Sequence, residues 1–187
     1  MAPSSISRIR GRVVQRMASW YRRNGIRRTD VSTESILHAA RSTIDRSRYC
    51  VLVTSAGDVP AARVVQPRRP DNEFIIHIGT SPTSNKAGDI RRTGRAALVY
   101  TDDRRGAGVT VRCAAELLGD PATRRRHFLP VWRAFWPAGP DDPGFVVLRC
   151  IPTAIEVWDR SRGITPAPFG LAAARIDRVG GTWTLAA

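Results

Sequence analysis

The chain has 187 residues, of which 42% are apolar and 25% charged, with a formal net charge of +14. That length holds one domain with its own core and is short for two. No apolar run nears the roughly 18–20 residues of a membrane span, and the N-terminus lacks the unbroken apolar stretch and small-residue cleavage site of a secretory signal, so a cytoplasmic protein is expected.

Residues 1–30 read as a basic arm, and residues 31–187 as the domain proper. Positions 1–28 carry eight arginines and no acid, which is over half of the net charge. In the arm, Ile6, Ile9, Val13, Met17 and Trp20 recur at spacings of three and four, fitting one face of an amphipathic helix that ends near Asn24-Gly25. Such a helix packs on its own domain or a dimer partner, or meets nucleic acid or a membrane surface; an unstructured tail is the other reading. The pattern leaves these open.

A second helix follows, capped by Ser32 or Thr33, with Ile36, Leu37, Ala40 and Ile44 as its apolar stripe. The period then changes. "YCVLVTS" and "VPAARVVQP" flank an "AGD" turn and predict a hairpin. "EFIIHIGT" predicts a strand, and "TSNKAGDIRRTG" a short helix closed by Gly94. "RAALVYTD" and "GVTVRCAAELLGD" predict two further strands. "PATRRRHFLPVWRAFW" starts a helix at a proline, with a break at Pro130. "FVVLRCIPTAIEVWD" predicts a pair of strands around Pro152, and the tail a hairpin turning at "VGG". About six short consecutive strands with inserted helices make the chain mainly β (α+β), with a small six-stranded antiparallel barrel and flanking helices.

Few residues carry chemistry. Cys50, Cys113 and Cys150 form no paired motif and read as reduced, buried thiols. His38, His77 and His127 lack metal-ligand spacing, and no metal site is expected. Asp141 and Asp142 sit in a Pro/Gly loop, where carboxylates more often cap turns than catalyse. The distinctive stretch is "GTSPTSNKAGDIRR", which contains the chain's one lysine, Lys86, against 29 arginines. Thr80, Ser84, Asn85 and Lys86 gather where a strand ends and a helix begins. Helix starts present unpaired N–H groups and the positive end of a dipole, and a lysine adds a point charge, so a phosphate fits. A capped helix with a solvated lysine is the plainer alternative. Arg63, mid-strand among apolar residues, needs a partner: a structural carboxylate or the same anion.

Taken in order, "ARVV", "FIIHIGT", "SNK", "AALVYTD", "VTVRCAAELL", "FWPAGPDDPGFVVLR" and "IEVWD" resemble the pyridoxamine 5′-phosphate oxidase-like flavoproteins, in their general-stress-protein branch. The resemblance runs from about Ile36 to Ile176. It implies the FMN-binding split barrel and a homodimer with cofactor at the interface. It also implies that Arg63, Thr80, Ser84 and Lys86 hold the FMN phosphate, with Asn85 beside them. The backbone of Val64, Val65, Ile78 and Gly79 would follow the ring system, and Trp158 would approach from the other subunit. The implied function is flavin-mediated hydride or electron transfer with a small-molecule reductant or oxidant, with no side chain singled out as catalyst. The fold also hosts deazaflavin and haem proteins and non-catalytic flavin binders, which stand as alternatives. The chain departs from true pyridoxamine phosphate oxidases. It reads "WDRSRGITPAP" where they carry an R-x-H-x-R-like element, it lacks their Tyr-and-Arg helix, and Gly108 replaces a glutamine that often meets the ring. Vitamin B6 oxidation is therefore not expected.

Overall fold

The computed structural model describes residues 31–165 and 172–186, and of the basic arm only positions 15, 16 and 19. Those three positions are helical, and the expected apolar stripe of Ile6, Ile9, Val13, Met17 and Trp20 lies outside the described residues. Helix α1 spans Thr33–Arg46, and Ser32 is its cap. Ser32 and Ser35 each accept the other's backbone N–H through their hydroxyls, at 3.1 and 3.0 Å, which satisfies two donors the helix start would otherwise leave open. Ile36, Ala39, Ala40, Thr43 and Ile44 form its buried face, and Leu37 is only partly buried against the same core.

Strands β1 (Cys50–Ala56) and β2 (Val59–Val65) form the expected hairpin, turned at Gly57 with φ 70°. Strand β3 (Ile76–Thr80) leads to helix α2 (Asn85–Thr93), which ends at Gly94 with φ 62°. Strands β4 (Arg95–Asp102) and β5 (Ala107–Leu118) follow. The short helix α3 (Pro121–His127) stops before Pro130, where a 3-10 turn (Pro130–Ala134) takes over. That is the break a proline lacking its N–H imposes. Strand β6 (Val146–Asp159) precedes the hairpin of β7 (Ala174–Val179) and β8 (Thr182–Leu185).

One expectation fails here. "FVVLRCIPTAIEVWD" is not two strands around Pro152 but the single strand β6. The register with β5 slips at this point: Cys113 opposes Pro152 and Arg112 opposes Ala154, leaving Thr153 as an extra residue. The bulge absorbs the missing proline N–H, and Thr153 Oγ1 donates to the Arg112 carbonyl at 3.2 Å. The sequence signal for a break was real, but the ladder bends instead of ending.

All pairing is antiparallel, in the order β2-β1-β4-β5-β6-β7-β8, with β3 on the first half of β6. An isolated bridge between Pro67 and Ile78, with Arg68 N–H donating to the His77 carbonyl at 2.8 Å, joins the end of β2 to β3. Six strands therefore close on themselves, and β7 and β8 extend from the second half of β6. The interior is filled by alternating residues such as Leu52, Ile76, Ile78, Leu98, Val111, Leu148 and Ile155, with α1 packed onto it. The three cysteines are buried and free. Burial raises the Cys50 thiol to about 12, so it stays protonated and unreactive.

A separate aromatic cluster covers the outer face of β3. Trp132, Phe145 and Val147 are buried there with Phe128, Leu129 and Trp136 around them. No helix among the described residues is long and apolar enough to cross a membrane.

Candidate functional site

Strand β3 alternates, so Ile76, Ile78 and Thr80 point into the barrel while His77 and Gly79 face outward. Thr80 is thus carried to the barrel's end, 2% exposed. Its hydroxyl lies 3.1 Å from the Ser84 hydroxyl. Ser84 caps α2, accepting the Ala87 N–H and donating to the Ser81 carbonyl at 2.8 Å. Asn85, exposed, and Lys86, half-buried, open the helix. No acid stands in that first turn.

Arg63 reaches the same region from β2. Its Nη1 donates to Thr54 Oγ1 on β1 at 2.5 Å, and its Nη2 lies 3.6 Å from Asp89 Oδ2 on α2. Thr54 Oγ1 in turn donates to Asp89 Oδ2 at 2.7 Å. Arg92 holds the other oxygen, Oδ1, at 2.9 Å. The Thr54 hydrogen bond, opposed by burial and joined by Arg92, keeps the Asp89 carboxyl below its usual range.

Lys86 stands differently. Burial, and then the nearby charge of Arg63, pulls its ammonium below the ordinary lysine range. Among the described residues it makes no hydrogen bond or ion pair. A desolvated cation beside a second cation disfavours its own charged form until an anion arrives. Thr80 thus meets Ser84, the charge of Arg63 reaches Lys86, and Asn85 adjoins them at the start of α2.

The remaining expected residues are placed variously. Val64 is 69% exposed beside Arg63, whereas Val65 is partly buried against the core. Ile78 is in the barrel interior. At Gly79 the outward face is occupied: an added Cβ would lie 2.7 and 2.8 Å from Trp132 ring atoms and 3.0 Å from Phe145. Trp158 lies on β6 opposite Gly108, away from the β2–β3–α2 group in register.

Three features escaped sequence reading. Thr54 and Asp89 reach Arg63 only through strand and helix packing, although a lone acid three residues after Lys86 was visible. His77 and His127 stack with ring centroids 3.7 Å apart and planes at 19°, joining α3 to β3. Trp132 lies over Gly79 for the same tertiary reason. Asp141 and Asp142 behave as turn groups: Asp142 accepts the Gly144 N–H at 2.9 Å, and Asp141 pairs with Arg125 at 3.0 Å. A cleft of about 690 Å³ is lined in part by Thr54, Thr93, Arg95, Arg112, Thr153 and Arg175. It does not include Lys86, and two of its arginines are already paired, Arg112 with Glu156 and Arg175 with Asp177. The unneutralised charge of the Lys86 group is a stronger sign of a ligand than that open volume.

Residues 37–179 match the family described as Pyridoxamine 5′-phosphate oxidase like. No curated protein matches the chain significantly. Among solved structures, a protein related to general stress protein 26 from Clostridium acetobutylicum is similar, with 15% identity over 70% of this chain and 92% of its own, TM-score 0.62. A pyridoxamine 5′-phosphate oxidase-related, FMN binding protein from Nostoc punctiforme shares 17% identity over 82% of this chain and 94% of its own, TM-score 0.60. A heme binding protein from Mycobacterium smegmatis shares 16% identity over 70% of this chain and 55% of its own, TM-score 0.52. At these identities the structures show a shared fold.

Proposed function

Because the chain belongs to the pyridoxamine 5′-phosphate oxidase like family, we propose that it binds FMN as a homodimeric, cytoplasmic flavoprotein and acts as an oxidoreductase on a small molecule. The observation that carries this reading is Lys86, half-buried, beside Arg63 and without a counter-ion among the described residues. A phosphate carrying nearly two negative charges is the anion such a pair would accept. The Thr80 and Ser84 hydroxyls and the opening N–H groups of α2 supply further hydrogen-bond capacity. The donor set thus fits the phosphate end of FMN.

The exposed Val64 side chain next to Arg63 is an apolar surface that a flavin ring or a second subunit would cover. Trp158 would reach across the dimer interface to the cofactor of the other subunit. Bound FMN would supply hydride or electron transfer; the chain's part is to hold the phosphate and orient the ring. Oxidation of pyridoxamine phosphate is not part of the proposal. In "WDRSRG", Arg162 pairs with the buried Asp159 at 2.9 Å and also bonds Ser42, which is a structural use of that segment.

Haem is favoured less. It calls for an axial ligand, and the three histidines are placed elsewhere: His38 on α1, and His77 and His127 stacked on each other.

The test is an absorption spectrum of the purified protein before and after denaturation, with mass spectrometry of what is released. Released FMN supports the reading. Released deazaflavin or haem replaces the cofactor, and a colourless protein that refuses added FMN removes the proposal.

A further inference from the structure

α2 has a single acid, Asp89, three residues after Lys86. That spacing would let it neutralise Lys86 on the helix surface. It does not. Asp89 is 5% exposed, and its two oxygens are divided between other partners. Oδ1 accepts from Arg92 at 2.9 Å. Oδ2 accepts from Thr54 at 2.7 Å and lies 3.6 Å from Arg63. Thr54, 3% exposed, is spent on both sides: it accepts from Arg63 at 2.5 Å and donates to Asp89. Its proton direction is thereby fixed. Arg63 has five N–H donors in a rigid fork. Only one edge of that fork is engaged by Thr54 and Asp89, and its charge still acts on Lys86.

We propose that Asp89 and Thr54 are positioning residues of the anion site: they hold Arg63 by one edge of its guanidinium and leave the rest of the fork, with Lys86, for the phosphate. The inference rests on the FMN reading above and goes beyond it by assigning two residues that touch no ligand. A long arginine side chain loses much rotamer freedom when fixed; here the fixing precedes binding, so the ligand does not have to supply it. It also explains why a carboxylate belongs in a site built for an anion. The single charge of Asp89 is shared between Arg63 and Arg92, so it steadies both without cancelling both, and it leaves Lys86 unmatched.

The experiment is a titration of FMN and, separately, riboflavin, which lacks the phosphate, into full-length protein, followed by flavin fluorescence. Thr54→Val, nearly isosteric, is expected to weaken FMN about tenfold, the size of one charge-assisted hydrogen bond, and leave riboflavin unchanged. Thr54→Ser keeps the hydroxyl and restores FMN binding. Asp89→Asn weakens FMN in the same direction. In an Arg63→Ala background, Thr54→Val has no further effect, because its route to the ligand is gone. An undiminished Thr54→Val penalty in that background overturns the assignment. So does an equal loss of FMN and riboflavin, or tighter FMN binding by Asp89→Asn, which would make the carboxylate a competitor of the phosphate. A wild-type protein that does not prefer FMN over riboflavin removes the phosphate reading itself, and this assignment with it.

Discussion

Two helices of this chain begin in opposite electrostatic states. The start of α3 is capped by Asp120, whose carboxylate accepts the Thr123 N–H at 2.9 Å. That bond holds its carboxyl below the usual range. The start of α2 is capped by the neutral Ser84 and carries a cation, Lys86, in its first turn. One helix brings its own anion; the other adds positive charge where the dipole is already positive. The same local feature is thus closed in one place and left open in the other, and the open one lies beside Arg63. A bare helix start says little about function. A helix start made more positive by a half-buried lysine is the feature on which the proposed phosphate site rests.

The largest expected effect tests the open helix. Lys86→Ala should weaken FMN binding ten- to a hundredfold, the worth of a desolvated charge-assisted contact of about 1.5–3 kcal/mol, and Arg63→Ala should do likewise. Thermal stability of the ligand-free Lys86→Ala protein should not fall, because the change removes an unneutralised charge. Calorimetric titration and thermal melts read the two arms. Unchanged FMN affinity would return α2 to the status of an ordinary capped helix.

The next effect concerns the face of β3 turned away from that charge. Gly79→Ala places a Cβ 2.7 Å from Trp132. Backbone and indole must separate, at a cost of about 1–3 kcal/mol typical of overpacking. Denaturant unfolding followed by tryptophan emission measures it. A neutral Gly79→Ala would mean that the aromatic cover lifts from β3 without cost.

A smaller, pH-dependent effect comes from the histidine stack that fastens α3 to β3. Burial, then the charge of His127, lowers His77 to about 4. His127 is lowered too, first by burial and then by Arg68 and Arg126. Asp71 opposes both shifts, and Arg149, paired with Glu116, adds to that on His77. The folded imidazoles refuse protons that the unfolded chain accepts at its ordinary value near 6.5. The contribution of the two histidines is therefore flat above about pH 6.5 and falls as pH drops toward about 4. The lowered carboxylates Asp89, Asp102 and Asp120 lose their contribution in a separate window, below about 4. Melting temperatures across this range should slope in the wild type, and His77→Phe should flatten most of the slope between about 6.5 and 4.

Much of this comparison could be read from residues alone. Gly94 closes α2, a proline opens α3, and the run of short consecutive strands predicted a small antiparallel barrel. Lys86 was conspicuous as one lysine among arginines. What escaped notice is non-local. The Thr54–Asp89–Arg63 linkage joins β1, α2 and β2, and no spacing in the chain announces it. The His77–His127 stack joins residues fifty positions apart. Pro152 gave a true local signal whose outcome depended on β5, which supplied the bulge partner. Arg63 shows the limit most clearly. A structural partner and an anion contact were alternatives in the sequence, yet the buried carboxylate found beside it excludes neither, since only one edge of the guanidinium is used.

The smallest effect tests the closed helix. Asp120→Ala removes the cap of α3 and exposes its first N–H groups to water. The loss should appear as a modestly lower Tm, because α3 is only seven residues long and buries none of them, so little packing depends on its first turn. FMN affinity should stay within error of wild type, since the carboxylate is engaged by the N–H of its own helix at Thr123. Lys86→Ala and Asp120→Ala should then dissociate: one costs ligand and no stability, the other stability and no ligand. Loss of FMN binding in Asp120→Ala would break that contrast. The two helix starts would then be coupled through β3, and the aromatic cover would have to be counted as part of the binding site.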